Sequence, residues 1–234
     1  EKITPEKWPF SIKDLPEGSF LVGGALRDAF LGKTQKKPDL DLVVPRKALT
    51  VTRDLAKNLN GTCVILDSQR EIARLVVEGW SIDVANRVGL TLQEDLSRRD
   101  FRLNSIALTL DKNHRIEDPL GGLKDLIERN LVAVSEKNLV DDPLRSLREF
   151  RFLAEMNFSL DLQTSSWINS HYKLLRTVSP ERIQSEIQLL VNAPWADDVL
   201  PLLISFRLLE DWQNTKADFI KEATSLKDAK TFTH

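Results

Sequence analysis

The sequence has a single cysteine, Cys63, among its 234 residues. One thiol excludes an intramolecular disulfide framework and a cysteine-rich zinc site, and it fits a reducing compartment. The chain also lacks an apolar run as long as a membrane span, and its opening residues, EKITPEKWPF, lack the pattern of a signal peptide. These absences predict a soluble, intracellular protein of the cytoplasm that has no membrane partner.

An excess of positive charge is lacking too, because the formal net charge at pH 7 is -2. This balance excludes a globally basic nucleic-acid binder but is compatible with a local basic face. Hydrophobic residues make up 41% of the chain and charged residues 29%, as in an ordinary globular protein. The length suffices for one large domain or for two small ones with hydrophobic cores.

Two patterns of hydrophobicity divide the chain. Residues 1–132 alternate short β-rich runs with helical segments, which is typical of mixed α/β structure. From Val134 onward apolar residues recur at helical spacing, and no strand is predicted. We therefore predict an α/β domain at 1–132 and a helical segment at 133–234. Asp142 and Ser179 each precede a proline, which favours a helix that starts with a capping side chain and a proline in its first turn.

The stretch DLDLVV carries Asp39 and Asp41 on an otherwise apolar strand. Residues two apart on a strand project to one face, so the two carboxylates are expected side by side. Two like charges held that close are unfavourable unless a cation lies between them. The pair predicts a metal site, and the alternative is a surface Asp-x-Asp with no catalytic role.

Gly23 and Gly24 stand between a predicted strand and the predicted helix ALRDAFLG. Such a pair exposes backbone N–H groups at a helix N-terminus and lets a phosphate approach without a Cβ clash. A phosphate cradle beside a carboxylate pair suits a Mg²⁺–nucleoside triphosphate, because magnesium takes a few carboxylates together with phosphate oxygens.

Five motifs follow one another along the chain. They are GGALRDAFLG with DLDLVV, RRDFRLNSIAL at 98–108, DPLGGLKDL at 118–126, DDPLRSLREFRF at 141–152 and SPERIQSEI at 179–187. In this order they resemble the motifs of the class II tRNA nucleotidyltransferase and bacterial poly(A) polymerase family, within the DNA polymerase β-like nucleotidyltransferases. The resemblance implies an α/β (α+β) polymerase-β-like head with a mixed sheet, followed by an all-α neck and the start of a body.

The resemblance also implies a reaction. Nucleotides from CTP and ATP would be transferred without a template to the 3′ end of tRNA, with release of pyrophosphate. The implied cofactor is Mg²⁺ in a two-metal mechanism, with Asp39 and Asp41 as catalytic metal ligands. A third carboxylate is common in the superfamily, and Asp83 is the candidate for it. The alternative for Asp83 is a strand-end aspartate bonded to a turn or to Arg87.

Further head residues are implied to hold the nucleotide. Those for the triphosphate are Gly23, Gly24, Arg27, Arg98 and Arg99, and those for the ribose are Asp100 and Asn104. Arginine suits a triphosphate because its planar fork donates several charge-assisted hydrogen bonds. An aspartate that accepts from a ribose hydroxyl favours ribonucleotides. The RRD segment is also predicted to precede a helix that buries Ile106, Leu108 and Leu110, and a solvated RRD cap on that helix is the alternative.

The helix predicted to begin at Asp142 brings Arg145, three residues on, to the same face. A carboxylate beside a guanidinium offers an acceptor next to a donor, which matches the Watson–Crick edges of adenine and cytosine and not those of guanine and uracil. The resemblance assigns base recognition to this pair, supported by Asp141, Arg148 and Arg151. Asp141 stands where the family usually has Glu. The alternative is an intrahelical salt bridge of little energetic value.

Three subtypes share these motifs: CCA-adding enzymes, enzymes that add only CC or only A, and poly(A) polymerases. In the family they differ mostly in a mobile loop between the first two motifs, which would fall near DSQREIARLVV here, and in C-terminal regions. Glu71 and Arg74 are either functional residues of that loop or ordinary hairpin charges. CCA addition is the favoured reading, and a non-catalytic nucleotide-binding or RNA-binding module is the alternative from another class.

The end of the chain bears on tRNA binding. Members of the family generally continue through helical body and tail domains that grip the tRNA. A chain that stops soon after the neck is expected to be a piece of a longer protein or an unusually short member, which affects tRNA affinity more than chemistry. Trp167, Trp195 and Trp212, in the helical half, serve either a homodimer contact or the core.

Overall fold

The computed structural model describes residues 5–33 and 36–210 of the chain. The chain forms two compact units, the first of which ends at Glu128 and the second of which begins at Arg129. Within the described ranges, none of the helices combines the length and the apolar character needed to cross a membrane.

The described residues of the first unit form a seven-stranded sheet. Its strands are β1 (Phe20–Val22), β2 (Leu40–Val44), β3 (Thr62–Asp67), β4 (Ile72–Val77), β5 (Trp80–Asn86), β6 (Ala107–Thr109) and β7 (Ile116–Glu117). Their order across the sheet is β3-β4-β5-β2-β1-β6-β7. β2 and β5 pair in parallel, and the other neighbours pair antiparallel. The sheet is therefore mixed, and the predicted fold class is confirmed.

The hydrophobic core decides which face of the sheet is polar. The helices of this unit are α1 (Gly24–Phe30), α2 (Ala48–Asn58), α3 (Leu92–Ser97) and α4 (Gly122–Glu128). The buried side of α2 packs against β3, β4 and β5. Leu42 and Val84 are buried in the same core cluster as Leu55 of α2. Since successive strand residues alternate between faces, Asp41 and Asp83 project to the opposite side of the sheet.

The RRD segment follows helix α3 and does not precede a helix, so that prediction is wrong. After a 3-10 turn at Arg102–Asn104, the chain enters strand β6. Ile106, Leu108 and Leu110 are buried, but their spacing of two residues is that of a strand. Ala107, between them, is buried as well. Because both sides of β6 are buried, the alternation that identifies a strand is concealed in the sequence.

The DPLGG motif builds the start of α4. The Asp118 carboxylate accepts from the backbone N–H of Gly122 at 2.7 Å and of Leu123 at 2.9 Å, which satisfies donors that a helix N-terminus leaves unpaired. A Cβ on Gly122 would lie 2.2 Å from the carbonyl oxygen of Arg102, whereas Gly121, with φ +79°, meets nothing within 4 Å. Only glycine at position 122 lets α4 pack this close to the 3-10 turn.

We expect Gly122→Ala to lower the free energy of unfolding by about 1–3 kcal/mol, the usual cost of overpacking, because two backbone segments must separate. Urea unfolding followed by circular dichroism measures the loss. Gly121→Asn is the matched control, because asparagine tolerates the left-handed region and meets open space there. Equal losses in the two variants would contradict the contact with Arg102 as the reason for the glycine.

The described part of the second unit is mostly helical. Its helices are α5 (Glu136–Asp141), α6 (Leu144–Met156), α7 (Leu162–His171), α8 (Pro180–Val191) and α9 (Ala196–Ser205). Helix α6 packs against α8 and α9, and the rings of Phe150 and Phe206 lie 5.1 Å apart. β8 (Asn130–Leu131) and β9 (Ser159–Leu160) form a short parallel pair, and β9 contradicts the prediction of no strand after Val134. A strand of two residues is too short to show an alternation of apolar and polar residues in the sequence.

Proline shapes two helix starts in this unit. α8 begins at Pro180 as predicted, although the Ser179 side chain makes no capping hydrogen bond. The start predicted at Asp142 is wrong, because α6 begins at Leu144 and Asp142 is extended, with φ -139° and ψ 91°. A residue before proline is disfavoured in the helical region. Pro143 therefore moves the helix start past Asp142.

The three tryptophans of the helical half differ in their surroundings. Trp195 is 44% exposed, and Trp167 is half-buried. Trp212 lies outside the described residues. A homodimer contact through these side chains stays a prediction.

Candidate active site

Acidic side chains share one face of the seven-stranded sheet. Asp41 lies opposite Asp83 in the parallel pair β2–β5, and Asp83 lies opposite Arg74 in the antiparallel pair β4–β5. Residues opposite each other on adjacent strands project to the same face. Asp39 immediately precedes β2 and is exposed. Asp41, Asp83 and Arg74 thus form a row across three neighbouring strands. Asp39, two residues before Asp41 in the chain, adds a third carboxylate to this acidic row.

Asp41 is unusually hard to ionise. Its burial, helped by the negative charges of Asp83 and Asp39, raises the pKa of Asp41 from 3.8 to about 6. Arg99 and the backbone N–H of Gly24 act in the opposite direction and lower that pKa. A carboxylate disfavoured by burial and by like charges gains from a cation placed beside it. The chemistry of this donor set fits a divalent cation.

Gly23 lets the Asp41 carboxylate approach the start of helix α1. Gly23 has φ +79°, and a Cβ there would lie 2.6 Å from Oδ2 of Asp41. The backbone N–H of Gly24 donates to the Asp41 carboxylate. The glycine pair is therefore closely fitted to Asp41 in this structure, while the binding of a phosphate there stays a prediction.

Three of the predicted nucleotide-binding side chains are linked by hydrogen bonds. Arg27 donates Nη1–H to Oδ1 of Asn104 at 3.0 Å. Asn104 donates Nδ2–H to Oδ1 of Asp100 at 3.0 Å, and the same oxygen accepts from the backbone N–H of Phe101 at 2.8 Å. Asp100 is 8% exposed and Asn104 is 7% exposed. This chain of bonds fixes the side chains relative to one another.

Asp95 holds the two arginines of the RRD segment, and the sequence reasoning missed it. Arg99 Nη2 lies 3.2 Å from Oδ2 of Asp95, and Arg98 Nε lies 3.5 Å from Oδ1. Asp95 is fully buried and accepts from the backbone N–H of Val88 at 2.9 Å. Its spacing of three and four residues from the arginines was the available signal.

Asp83 pairs with Arg74 and not with Arg87, which the sequence-based alternative named. Arg74 donates Nε–H to Oδ1 at 2.7 Å and Nη2–H to Oδ2 at 2.9 Å. Nearby, Glu71 accepts from the amide nitrogen of Asn86. Glu71 and Arg74, the two candidate residues of the β3–β4 hairpin, thus both contact β5. No sequence signal could pair Arg74 with Asp83 before the strand order was known.

The predicted loop between the first two motifs is a tight hairpin turn. β3 ends at Asp67 and β4 begins at Ile72, so residues 68–71 make the connection. Oδ1 of Asp67 accepts from the backbone N–H groups of Gln69 and Arg70, both at 2.9 Å. An aspartate that bonds its own following backbone stabilises a turn.

In the second unit, Asp142 has two arginines beside it. Arg182 Nη2 lies 3.2 Å and 3.3 Å from the two carboxylate oxygens of Asp142, and Arg145 Nε lies 3.9 Å away. Arg145 also donates Nη1–H to the carbonyl oxygen of Asn138 at 3.3 Å. The predicted pair is thus present, with Arg182 of the motif SPERIQSEI as an additional and closer partner that sequence reasoning missed.

The residues predicted to support this pair have other contacts. Arg151 Nε donates to Glu186 of α8 at 2.7 Å, and Arg148 Nη1 lies 3.9 Å from the same side chain. Asp141 forms an ion pair with Lys137 one turn earlier. Arg148 and Arg151 therefore connect α6 with α8.

Comparisons with known proteins agree with the motifs. The Poly A polymerase head domain matches residues 19–132, and the probable RNA and SrmB-binding site of polymerase A matches residues 157–213. The chain belongs to the tRNA nucleotidyltransferase and poly(A) polymerase family. This assignment rests on both of the chain's units.

Relatives within the family carry different subtype names. A CC-adding tRNA nucleotidyltransferase of Synechocystis sp. is 38% identical over 201 residues, which cover 82% of this chain and 48% of that protein. An A-adding tRNA nucleotidyltransferase of Deinococcus radiodurans is 36% identical, over 85% of this chain and 46% of that protein. The solved structure of the Thermotoga maritima CCA-adding enzyme complexed with tRNA has a TM-score of 0.79 and 26% identity, over 90% of this chain and 53% of that one. The chain thus spans about half the length of these family members.

Proposed function

We propose that the chain transfers nucleotides from CTP and ATP to the 3′ end of tRNA, completing the CCA sequence and releasing pyrophosphate. The observation that carries the proposal is the Asp39–Asp41 carboxylate pair beside the Gly23 turn, in a chain whose relatives are named as tRNA nucleotidyltransferases. Phosphoryl-group transfer depends almost entirely on positioning and charge stabilisation. The acidic side chains share one face of the sheet beside the Gly23 turn, an arrangement that supports both requirements.

The cofactor we propose is Mg²⁺, held by Asp39 and Asp41. In the described part of the chain, no three His, Cys, Asp or Glu side chains are arranged to hold a metal by themselves, so the remaining ligands would be triphosphate oxygens and water. Asp83 is the weaker candidate, because Arg74 engages both of its oxygens. When bound, two such ions lower the pKa of the attacking hydroxyl and neutralise the leaving pyrophosphate.

The side chains around the carboxylates would position the nucleotide. Charge-assisted hydrogen bonds to the triphosphate would come from the guanidinium groups of Arg27, Arg98 and Arg99. Asp100 is oriented by Asn104 and would accept from a ribose hydroxyl. In the second unit, Asp142 would accept from the exocyclic amino group of adenine or cytosine, while Arg145 donates to the adjacent ring nitrogen.

We expect Asp100→Ala to erode the preference for ATP over dATP by about tenfold or more, because a hydrogen bond to a charged group is lost. Arg99→Ala should instead raise the KM for both triphosphates and leave their ratio unchanged. Steady-state kinetics with ATP and dATP measure both effects, and thermal unfolding checks that each variant is folded. Loss of the same property to the same degree in both variants would contradict this division of roles.

A second candidate function is the addition of CC alone. The connection between β3 and β4 is a short turn of residues 68–71, at the place where subtypes of the family are expected to differ. The relative from Synechocystis sp. is named as a CC-adding enzyme. The name of that relative, which is 38% identical to this chain, supports CC addition as the second candidate, ahead of the A addition named for the 36% identical relative from Deinococcus radiodurans.

One experiment separates the candidates. The chain is mixed with tRNA ending before CCA, at C, or at CC, and each is offered CTP, ATP, UTP or GTP separately with Mg²⁺. Addition of C to the first two and of A to the third supports CCA addition, and addition of C alone supports the second candidate. Repeated addition of A to every primer would identify a poly(A) polymerase. Binding of nucleotide or RNA without any addition would overturn the catalytic proposal.

A further inference from the structure

Arg74 lies at the end of the acidic row, and two nitrogens of its guanidinium, Nε and Nη2, donate hydrogen bonds to the two carboxylate oxygens of Asp83. The two contacts measure 2.7 Å and 2.9 Å, which is the bidentate geometry of a strong arginine–carboxylate pair. The side chains are 43% and 28% exposed, so solvent reaches the pair. The contact can therefore open without unfolding the sheet.

The charge of Arg74 acts on the whole cluster. Its hydrogen bonds and charge interaction with Asp83 raise the pKa of Arg74, and the negative charges of Asp39 and Asp41 raise it as well. A cation that interacts favourably with all three carboxylates occupies the same electrostatic role as a bound metal. Because its guanidinium engages both oxygens of Asp83, a cation that binds Asp83 must compete with Arg74.

We propose that Arg74 is an internal counter-cation of the carboxylate cluster, which holds Asp83 in a bidentate pair and competes with a divalent cation for it. The inference rests on the metal site proposed above for Asp39 and Asp41. Arg74 is thus a positioning residue, because it keeps Asp83 away from the metal and limits the cation to two protein carboxylates. It also offsets like-charge repulsion when no metal is bound.

Arg74→Met is the test variant, and Arg70→Met is its matched control. Arg70 lies in the turn of the same hairpin, with Nε 3.8 Å from Asp67. Binding of Mn²⁺ to the nucleotide-free protein is measured by titration calorimetry, and thermal unfolding is recorded with EDTA and with Mn²⁺. We expect Arg74→Met to melt lower than wild type in EDTA and to bind Mn²⁺ at least about fivefold more tightly, the lower end of typical linkage between two competing ligands.

Two further variants test whether the added Mn²⁺ affinity comes from the released carboxylate of Asp83. Asp83→Asn in the Arg74→Met background should return the Mn²⁺ affinity to the wild-type value, because the released carboxylate is gone. If Arg74→Met does not fold, Arg74→Lys replaces it. Lysine keeps the charge but loses the planar fork, so its Mn²⁺ affinity should rise by a smaller factor.

Equal Mn²⁺ affinities in wild type, Arg74→Met and Arg70→Met would overturn the inference, as would equal affinities in wild type and Arg74→Lys where only that variant folds. Asp41→Asn tests the metal site separately. If Asp41→Asn loses Mn²⁺ binding while Arg74→Met binds as wild type does, only the inference about Arg74 fails. If Asp41→Asn binds Mn²⁺ as well as wild type does, the metal assignment fails and the inference falls with it.

Discussion

Asp41→Asn should abolish nucleotide addition and at the same time stabilise the metal-free protein at neutral pH. The amide keeps the size of the side chain but removes the negative charge that would hold a cation next to Asp39. Loss of one preorganised electrostatic group in an active site typically lowers kcat by about 10²–10³-fold, and we expect at least that. Primer extension with saturating Mg²⁺ measures the activity.

The gain in stability follows from the raised pKa of Asp41. Burial and like charges raise the pKa of Asp41 from 3.8 to about 6, so the ionised form is disfavoured in the folded protein. One pKa unit corresponds to about 1.4 kcal/mol, which puts the cost at pH 7 at roughly 1–3 kcal/mol after allowance for the partial exposure of the side chain. Asparagine does not bear this cost.

The raised pKa of Asp41 also fixes the direction in which the stability of the wild-type protein changes with pH. Because the pKa of Asp41 is higher in the folded state, the folded protein binds more protons between about pH 4 and pH 6, and wild-type stability falls as the pH rises through that window. The stability advantage of Asp41→Asn should therefore appear within this window, remain constant above it and vanish below it. Urea unfolding in EDTA at several pH values measures this difference.

Asp39→Asn is the matched control for the stability effect. Asp39 is exposed, so its replacement should remove activity with little gain in stability. Near-normal turnover of either variant would contradict the metal assignment. A less stable Asp41→Asn protein in EDTA would contradict the electrostatic account of Asp41.

Asp142→Ala should admit UTP and GTP as competitors of CTP and ATP without changing the metal site. Losing one good bidentate contact to a base edge typically costs about 1–3 kcal/mol of discrimination, which is roughly tenfold to a hundredfold. Arg145→Ala should relax the same preference and also weaken nucleotide binding, because Asp142 then keeps only the contact with Arg182. Incorporation of each triphosphate on one primer gives the ratios.

Arg176→Ala is the control for the loss of a surface charge in the same unit, since Arg176 is exposed. It should keep the wild-type base ratios. If Asp142→Ala and Arg145→Ala slow all four triphosphates equally, the pair is only a structural salt bridge between α6 and its neighbours. The close contact with Arg182 makes that outcome a definite alternative.

Local patterns of the sequence predict much of the fold and name many residues of the candidate site. The strand DLDLVV and the glycines before α1 are visible in short windows, because strand alternation and glycine requirements act over a few residues. The errors have local causes as well. Burial on both faces concealed the strand character of β6, and Pro143 excluded Asp142 from the helix that follows.

The sequence by itself determined the acidic pair, the glycine turn and the helical second half, since each depends on residues close together in the chain, and the resemblance of its five motifs implied the family and the mixed sheet. Only the tertiary structure decided the partners of those residues. Arg74 meets Asp83 because β4 and β5 are neighbours in that register, and Arg182 meets Asp142 across a separation of 40 residues. Such contacts depend on how strands and helices are ordered in space, which no spacing along the chain encodes.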